Sequence, residues 1–299
     1  MVNLALHRFA VLLAVSTLFL VIAGASVTSN QAGLSVPDWP LSYGQVMPEM
    51  TGGVFYEHGH RMIASAVGLL TVILAIWLWR TEPRAWVRRL GYAALGAVIL
   101  QGVLGGRTVL FMLPRTVSIS HACLAQLFFS ATVAIALFTS PGWQRGPQFV
   151  EDGGWPSMRS LALSASVLTL AQVALGAAFR HRALGIVPHI IGAVVVTFVL
   201  LMVATFVLVQ FPKHAGLTKA AWSLIGITSV QIILGVIAYV VRLNHWDAVT
   251  PTGVLVASTV AHVAFGALTM AASVALALEV YYHVRPRAAF HPGLPAVSR

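Results

Sequence analysis

Eight apolar runs divide this chain, and each is about long enough to cross a lipid bilayer as an α-helix. They lie at about residues 9–27, 60–79, 90–106, 118–139, 160–178, 186–210, 220–241 and 254–282. A helix needs about 20 apolar residues to span the hydrocarbon core, where its backbone polar groups must be satisfied internally. The sequence therefore predicts an all-α integral membrane protein with eight transmembrane helices.

The composition agrees with this class of protein. Hydrophobic residues make up 58% of the 299 positions and charged residues only 9%, whereas about a quarter of a soluble domain is charged. The net charge of +10 comes from basic residues in the connections between apolar runs, so we expect no nucleic-acid binding. The single cysteine, Cys123, excludes a disulfide within one chain.

The basic residues also predict an orientation. With eight spans both termini share a side, and that side carries twelve of the 18 Lys and Arg residues. The positive-inside rule therefore places both termini in the cytoplasm of a multi-pass protein of the cell (plasma) membrane. The first outer connection, from about Ser29 to Glu57, contains no Lys or Arg, which agrees with this orientation.

A short motif occurs three times. Gln-x-x-Leu-Gly stands at 101–105, 172–176 and 231–235, near the predicted outer ends of the third, fifth and seventh spans. Each copy is followed by a span that carries a histidine. Equivalent positions favour duplication over chance, so we predict two duplicated four-helix bundles, an N-terminal half at 1–145 and a C-terminal half at 146–299.

One histidine lies near the outer end of each even-numbered span: His60, His121, His189 and His262. An ionisable residue at membrane depth is costly and usually functional; a hydrogen bond to a carbonyl could explain one of them, but four in register are harder to dismiss. Zinc usually brings cysteine or carboxylate ligands at short spacing, and a di-iron site needs two Glu-x-x-His pairs. Only Glu57–His60 has that spacing. Two imidazoles from facing helices suit the axial positions of a haem iron, so the halves predict two haem sites.

Six arginines lie just beyond the histidines, against the positive-inside trend. They are Arg61, Arg107, Arg115, Arg180, Arg182 and Arg242. Arginine pairs well with carboxylates, which makes these residues candidates for binding haem propionates. For any one of them, the alternative is a side chain that reaches to the membrane interface without a ligand.

Two motifs resemble a known family. The stretch 27–44, with Asp38-Trp39-Pro40, and the motif Glu57-His-Gly-His60-Arg61 resemble the haem A synthase family, also called the cytochrome oxidase assembly family. The repeated glutamine motif and the four histidines extend the resemblance over nearly the whole chain. It implies an eight-helix oxidoreductase that converts the C8 methyl group of haem O to a formyl group, giving haem A for terminal oxidases.

The resemblance also implies roles for individual residues. His60 and His121 would bind the substrate haem, with Glu57 as the catalytic residue at its reacting edge, and His189 and His262 would hold a haem b cofactor. Membrane lipid, haem O synthase and an electron acceptor are the implied partners, and homo-oligomerisation stays open. A bis-histidine haem electron carrier, or an oxidase assembly factor without haem-modifying activity, is the alternative.

The first outer connection departs from the family pattern. Many members carry a cysteine pair there, seven residues apart, and Ser35 and Ser42 stand at the matching positions. This chain therefore lacks thiol chemistry in that connection. His58 lies within the Glu-x-x-His motif, and we expect it at the membrane interface and not on a metal.

Overall fold

The computed structural model describes residues 3–245 and 250–286. These ranges contain eight helices that are long and apolar enough to span a membrane. They are α1 (Leu4–Ser29), α2 (Gly52–Thr81), α3 (Ala85–Leu110), α4 (Arg115–Thr139), α6 (Met158–Arg180), α7 (Val187–Gln210), α8 (Ala215–Asn244) and α9 (Gly253–His283). The predicted class, an all-α multi-pass membrane protein, is confirmed.

The start of α2 differs from the hydropathy prediction in a way that matters for function. The helix begins at Gly52, after the extended residue Thr51, and not at residue 60. Its first two turns contain glycines and polar residues, which weaken the apolar signal. Glu57 and His60 therefore lie on the same helix three residues apart, where side chains share a face.

Each half of the chain packs as a closed ring of four helices. In the first half α1 and α3 both contact α2 and α4, and in the second half α6 and α8 both contact α7 and α9. The halves meet where α1 packs on α9 and where α4 packs on α6 and α9. The packing order is the same in both rings, and duplication of one four-helix bundle stays a prediction.

The apolar core of each ring lies away from the four histidines. Buried leucines such as Leu74 and Leu78 of α2 fill the first ring, and Leu200 of α7 and Leu276 of α9 fill the second. The end of the molecule at which α2, α4, α7 and α9 begin carries His60, His121, His189 and His262, and we call it the histidine end.

The opposite end joins the two halves through elements that hydropathy did not predict. A short helix, α5 (Pro141–Gln144), places Trp143 against Tyr282 of α9, with the rings stacked at 3.9 Å between centroids. Two short strands, β1 (Val150–Asp152) and β2 (Val284–Pro286), pair in parallel beside them. These contacts fix the second ring against the first.

Candidate functional site

Each of the four histidines lies against a glycine of the preceding long helix. A methyl group added to the glycine would lie within 2.9–3.4 Å of Cε1 of the imidazole; the pairs are Gly24 with His60, Gly105 with His121, Gly176 with His189 and Gly235 with His262. Real side chains rarely tolerate so close an approach, so these positions need glycine. The glycines thus let each imidazole approach the neighbouring helix closely, with Cε1 as the nearest ring atom.

Each ring carries two of the histidines. The imidazoles of His189 and His262 face each other, 6.3 Å apart between centroids and with their planes at 86°. In the first ring, His60 of α2 packs on Gly24 and His121 of α4 packs on Gly105. In the described ranges no group of three or more His, Cys, Asp or Glu side chains could hold a bare metal ion. The arrangement therefore offers two pairs of imidazoles and no compact metal cluster.

The spacing of the second pair fits a haem iron. Metal–imidazole bonds of about 2 Å on opposite sides of one iron put the ring centroids about 6 Å apart. His189 and His262 have this separation without any bond between them. Among the described residues, Nδ1 of His60, His121 and His262 is buried and has no hydrogen-bond partner. Such nitrogens are suited to a ligand environment that protein groups alone do not complete.

Glu57, three residues before His60 on α2, is buried, with 4% of its surface exposed. Its Oε1 accepts a hydrogen bond from Nη2 of Arg61 at 2.7 Å, and its Oε2 accepts one from the backbone N–H of Val36 at 2.9 Å. It lies in the second turn of α2, and the first turn carries no acidic residue, so a simple interaction with the helix dipole does not explain it. Glu57 joins α2 to the connection that precedes it.

That connection, residues 30–51, is folded around Asp38. The Asp38 carboxylate accepts hydrogen bonds from the backbone N–H groups of Tyr43 at 2.7 Å and Gly44 at 2.8 Å, and both of these residues are in the left-handed region. The bond from Gly44, supported by the one from Tyr43, holds the pKa of Asp38 below its ordinary 3.8. Arg61 donates to the Asp38 carbonyl at 2.8 Å. The turn is thereby tied to α2.

Trp39 explains why the connection covers the first ring. Its indole lies on Gly106 of α3, where a methyl group would be 2.7 Å from Cδ2 of the indole. Gly106 is the neighbour of Gly105, on which His121 packs. The Asp38-Trp39-Pro40 motif thus holds an aromatic ring over the helix that supports one imidazole of the first pair.

Ser42 and His58 lie beneath this connection. Ser42 is fully buried, and its Oγ is 2.8 Å from Nδ1 of His58, which is 7% exposed. His58 is thus enclosed by the connection, and its place at the membrane interface stays a prediction. Ser35 packs on Gly53 at the start of α2. The two serines that replace the family's cysteines are thus part of a packed structure.

The six arginines divide by their contacts. Arg61 is committed to Glu57 and to the connection, and Arg180 donates to the Ala25 carbonyl at 3.0 Å and to Oγ of Ser29 at 2.6 Å. The remaining four are exposed near the histidine end: Arg107, Arg115, Arg182 and Arg242. Arg107 lies over Phe111 and Arg242 over Phe179. Propionate binding stays a prediction, and the four exposed arginines are freer to serve it.

Most of the chain matches one known protein family. Residues 49–281, which include all four histidines and seven of the eight long helices of the described ranges, match the family of the cytochrome oxidase assembly protein. The chain belongs to this family. Its similarity to the "Heme A synthase" of Symbiobacterium thermophilum is 33% identity over 55% of both chains.

Other relatives agree with this result. The "Heme A synthase" of Shouchella clausii is 32% identical over 44% of both chains, and that of Bacillus licheniformis is 27% identical over 60% of both. The chain spans about half the length of the curated relatives it matches. Family membership is therefore established, and the activity is argued separately below.

Proposed function

We propose that the protein is a haem A synthase that oxidises the C8 methyl group of haem O to a formyl group. The observation that carries the proposal is the placement of four histidines, two in each ring and each imidazole on a glycine, with His189 and His262 facing each other, in a member of the cytochrome oxidase assembly family. The relatives named "Heme A synthase" support the same activity.

In this proposal the two pairs have different tasks. His60 and His121 bind the iron of the substrate haem O, and His189 and His262 bind a haem b cofactor. With water as the oxygen source, oxidation of the methyl to a formyl group releases four electrons and four protons. His189 and His262 would hold the haem b, which when bound would supply a route for these electrons toward an external electron acceptor.

Glu57 is the proposed catalytic residue. It shares a face of α2 with His60, and its carboxylate oxygens are held in place by Arg61 and by the Val36 N–H. A fixed carboxylate can stabilise positive charge that develops at the substrate methyl carbon, or orient the attacking water. The exposed arginines at the histidine end are the proposed partners of the haem propionates.

The cellular setting follows from the same proposal. The eight spans and the basic residues support a plasma-membrane protein with both termini in the cytoplasm. The histidine end would then face outward. Haem O synthase would supply the substrate, and self-association stays a prediction.

A haem electron carrier without haem-modifying activity is the second candidate. The observation in its favour is that both carboxylate oxygens of Glu57 are already hydrogen-bonded, which suits an anchor of the 30–51 connection. Replacement of Glu57 distinguishes the two roles, because loss of a catalytic group slows the conversion of haem O to haem A, whereas loss of an anchor loosens the connection.

The test compares Glu57→Gln with Glu49→Gln, since Glu49 is an exposed carboxylate of the same connection. Full-length protein is purified from cells that make haem O, and its haems are separated by chromatography. Wild-type protein should hold haem B and form haem A. Glu57→Gln should retain haem O but form haem A at least about 100-fold more slowly, as expected for loss of a catalytic acid or base, and Glu49→Gln should behave as wild type.

Protease protection of residues 30–51 is compared in wild type and Glu57→Gln, because loss of protection reports loss of the anchor independently of haem A formation. If Glu57→Gln leaves haem A formation unchanged, Glu57 is an anchor only and its catalytic role is refuted. If wild-type protein holds haem B and never converts haem O, the electron-carrier candidate replaces the enzyme. Protein without any haem would refute both candidates.

A further inference from the structure

His58 makes a buried polar contact that the proposed function leaves unused. It lies on α2 between Glu57 and His60, and both His58 and Ser42 of the 30–51 connection are buried. Oγ of Ser42 is 2.8 Å from Nδ1 of His58. Among the described residues, Nε2 of His58 is buried without a hydrogen-bond partner, so the Ser42 contact at Nδ1 is what holds the imidazole.

Ser42 lies at the base of a tight turn. Its N–H donates to the Gln45 carbonyl, and its carbonyl accepts from the Gln45 N–H, both at 3.0 Å. Tyr43 and Gly44 between them are in the left-handed region, as two-residue turns of this kind require. Asp38 accepts hydrogen bonds from the N–H groups of both. The hydroxyl of Ser42 is thereby held in one position relative to the rest of the turn.

Arg61 is bound by the same turn. Its Nη1 donates to the carbonyls of Asp38 at 2.8 Å and Leu41 at 2.9 Å, and it lies 3.4 Å from Oγ of Ser42. Its Nη2 donates to Oε1 of Glu57 at 2.7 Å. Because the guanidinium group is planar and its donors form a rigid fork, the position of the turn fixes the direction from which Arg61 meets Glu57.

The spacing along α2 brings these contacts together. Arg61 follows Glu57 by four residues and His58 by three, so its side chain is next to both on the helix surface. The Ser42 hydroxyl reaches His58 and Arg61 at once. A hydrogen-bonded path therefore runs from His58 through Ser42 and Arg61 to the carboxylate of Glu57.

The other carboxylate oxygen also depends on the connection. Oε2 of Glu57 accepts the N–H of Val36, which is fully buried. The hydroxyl of Tyr43 donates to the carbonyl of Ser35, the neighbour of Val36, and so ties this segment to the turn. Both oxygens of Glu57 are thus held by groups whose positions follow the connection, and the Ser42–His58 contact is one of the points that fasten the connection to α2.

We propose that His58 and Ser42 are positioning residues for Glu57. Their hydrogen bond fastens the turn at 38–45 to α2, and the turn holds Arg61 so that the Glu57 carboxylate keeps one orientation. The inference rests on the proposed catalytic role of Glu57 and deepens it. The role needs no contact of either residue with the substrate, and it is the same whichever partner donates the proton of the bond.

The experiment removes the bond from each side. Ser42→Ala removes the hydroxyl, and His58→Leu removes the ring nitrogens but keeps an apolar side chain in the buried space. In purified full-length protein loaded with haem O, each variant should convert bound haem O about ten-fold more slowly than wild type, because a misplaced catalytic group lowers the rate of the reaction step. The dissociation constant of haem O and the haem B content should stay at the wild-type level.

Three further variants separate positioning from packing. His58→Asn places an amide where Nδ1 was and keeps a hydrogen bond to Ser42, so it should restore conversion to within about two-fold of wild type. The double variant Ser42→Ala/His58→Leu should be no slower than either single variant, because both changes remove the same bond. Ser65→Ala removes a hydroxyl of α2 that donates to the backbone carbonyl of Arg61, and it should leave conversion and binding unchanged.

Three results would overturn the inference. Conversion at the wild-type rate in Ser42→Ala and His58→Leu would show that Glu57 does not depend on the bond. Effects that multiply in the double variant would show that the two residues act separately. Weaker binding of haem O with an unchanged conversion rate of the bound haem would show a structural role only. If His58→Leu does not fold, a slow Ser42→Ala beside a normal His58→Asn supports the inference, and equal rates in these two refute it.

Failure of the inference can be told from failure of the proposed function. Wild-type protein that forms haem A, with a slow Glu57→Gln and normal conversion in Ser42→Ala and His58→Leu, refutes the positioning role alone. Normal conversion in Glu57→Gln refutes the catalytic role of Glu57, and the positioning role with it.

Discussion

The two four-helix rings share a packing order but differ at the histidine end. In the first ring, residues 30–51 join α1 to α2, and they fold over the ring and place Trp39 on Gly106. In the second ring, residues 181–186 join the equivalent helices α6 and α7, and so short a connection can only turn. One ring thus has a built cover where the other has a tight turn.

A second difference lies inside the rings. Leu20 of α1 occupies the place that Gln172 occupies on α6, so His60 lacks the amide that contacts His189. On the proposed function, the covered ring binds a haem that enters, reacts and leaves. The second ring, where the Gln172 amide contacts His189, retains its haem. The comparison indicates that one four-helix scaffold can either exchange or retain a haem, depending on a few side chains and on the connection that covers it.

The largest expected effect comes from removing one histidine from each ring. His189→Ala should reduce bound haem B more than about ten-fold, because it removes an iron ligand and its supporting hydrogen bond together. His60→Ala should leave haem B in place and prevent conversion of haem O. Pyridine haemochrome spectra and chromatography of the purified variants measure both results.

His7→Ala is the matched control, since His7 lies on α1 at the opposite end and contacts the Ala136 carbonyl. It should retain both haem content and conversion. If His60→Ala removed haem B, or His189→Ala spared it, the two rings would not bind separate haems, and the proposed difference between them would be refuted.

A smaller effect is expected from Gly106→Ala, which tests the cover of the first ring. The new methyl group would press on the indole of Trp39 at 2.7 Å, so the indole must move. Overpacking of this kind costs about 1–3 kcal/mol, so release of haem O or haem A should be roughly ten-fold faster. Haem B release should stay at the wild-type rate.

Gly102→Ala provides the control on the same helix, because no atom lies within 4 Å of the methyl group it would add. Alanine is the better helix former, so this variant should be as stable as wild type or slightly more stable. Unchanged release in Gly106→Ala would mean that Trp39 is not a cover. A matching change in haem B would mean that the variant disturbs the whole protein.

Hydropathy and charge in the sequence were sufficient to predict the membrane class. A transmembrane span is a long apolar run, so an error of a few residues at its ends does not change the prediction. The four histidines and the repeated glutamine motif could be recognised for the same reason, since each recurs in equivalent places. The repeat did not include Gly24, however, because Leu20 stands where the other copies have glutamine. The unit became visible only when the structure placed Gly24 against His60.

Contacts between distant segments could not be predicted in the same way. Nothing in the local sequence indicates that Val36 donates to Glu57, that Ser42 meets His58 or that Trp39 rests on Gly106. The 30–51 connection is polar and irregular, and its conformation depends on side chains of α2 and α3. The apparent start of α2 was late for a related reason, since glycines and polar residues open the helix that those contacts hold.

The smallest expected effect concerns the Asp38 turn, and it asks whether the cover of the first ring responds to pH. The pKa of Asp38 lies below its ordinary 3.8, mainly because Gly44 and Tyr43 donate to the carboxylate. A lowered pKa in the folded state means that the ionised form stabilises the turn. This contribution is present above the ordinary pKa and is lost as the pH falls through the lower folded value.

In Asp38→Asn, the backbone amides of residues 38–44 should therefore exchange hydrogen about two- to five-fold faster than in wild type at neutral pH. The reason is that a carboxylate accepts N–H bonds more strongly than an amide. At a pH below the lowered pKa of Asp38 the two proteins should converge, after correction for intrinsic exchange rates, because wild type has then lost the charge as well. If the difference persisted at low pH, the shape of the asparagine and not the charge of Asp38 would control the turn, and the cover would be insensitive to pH through this residue.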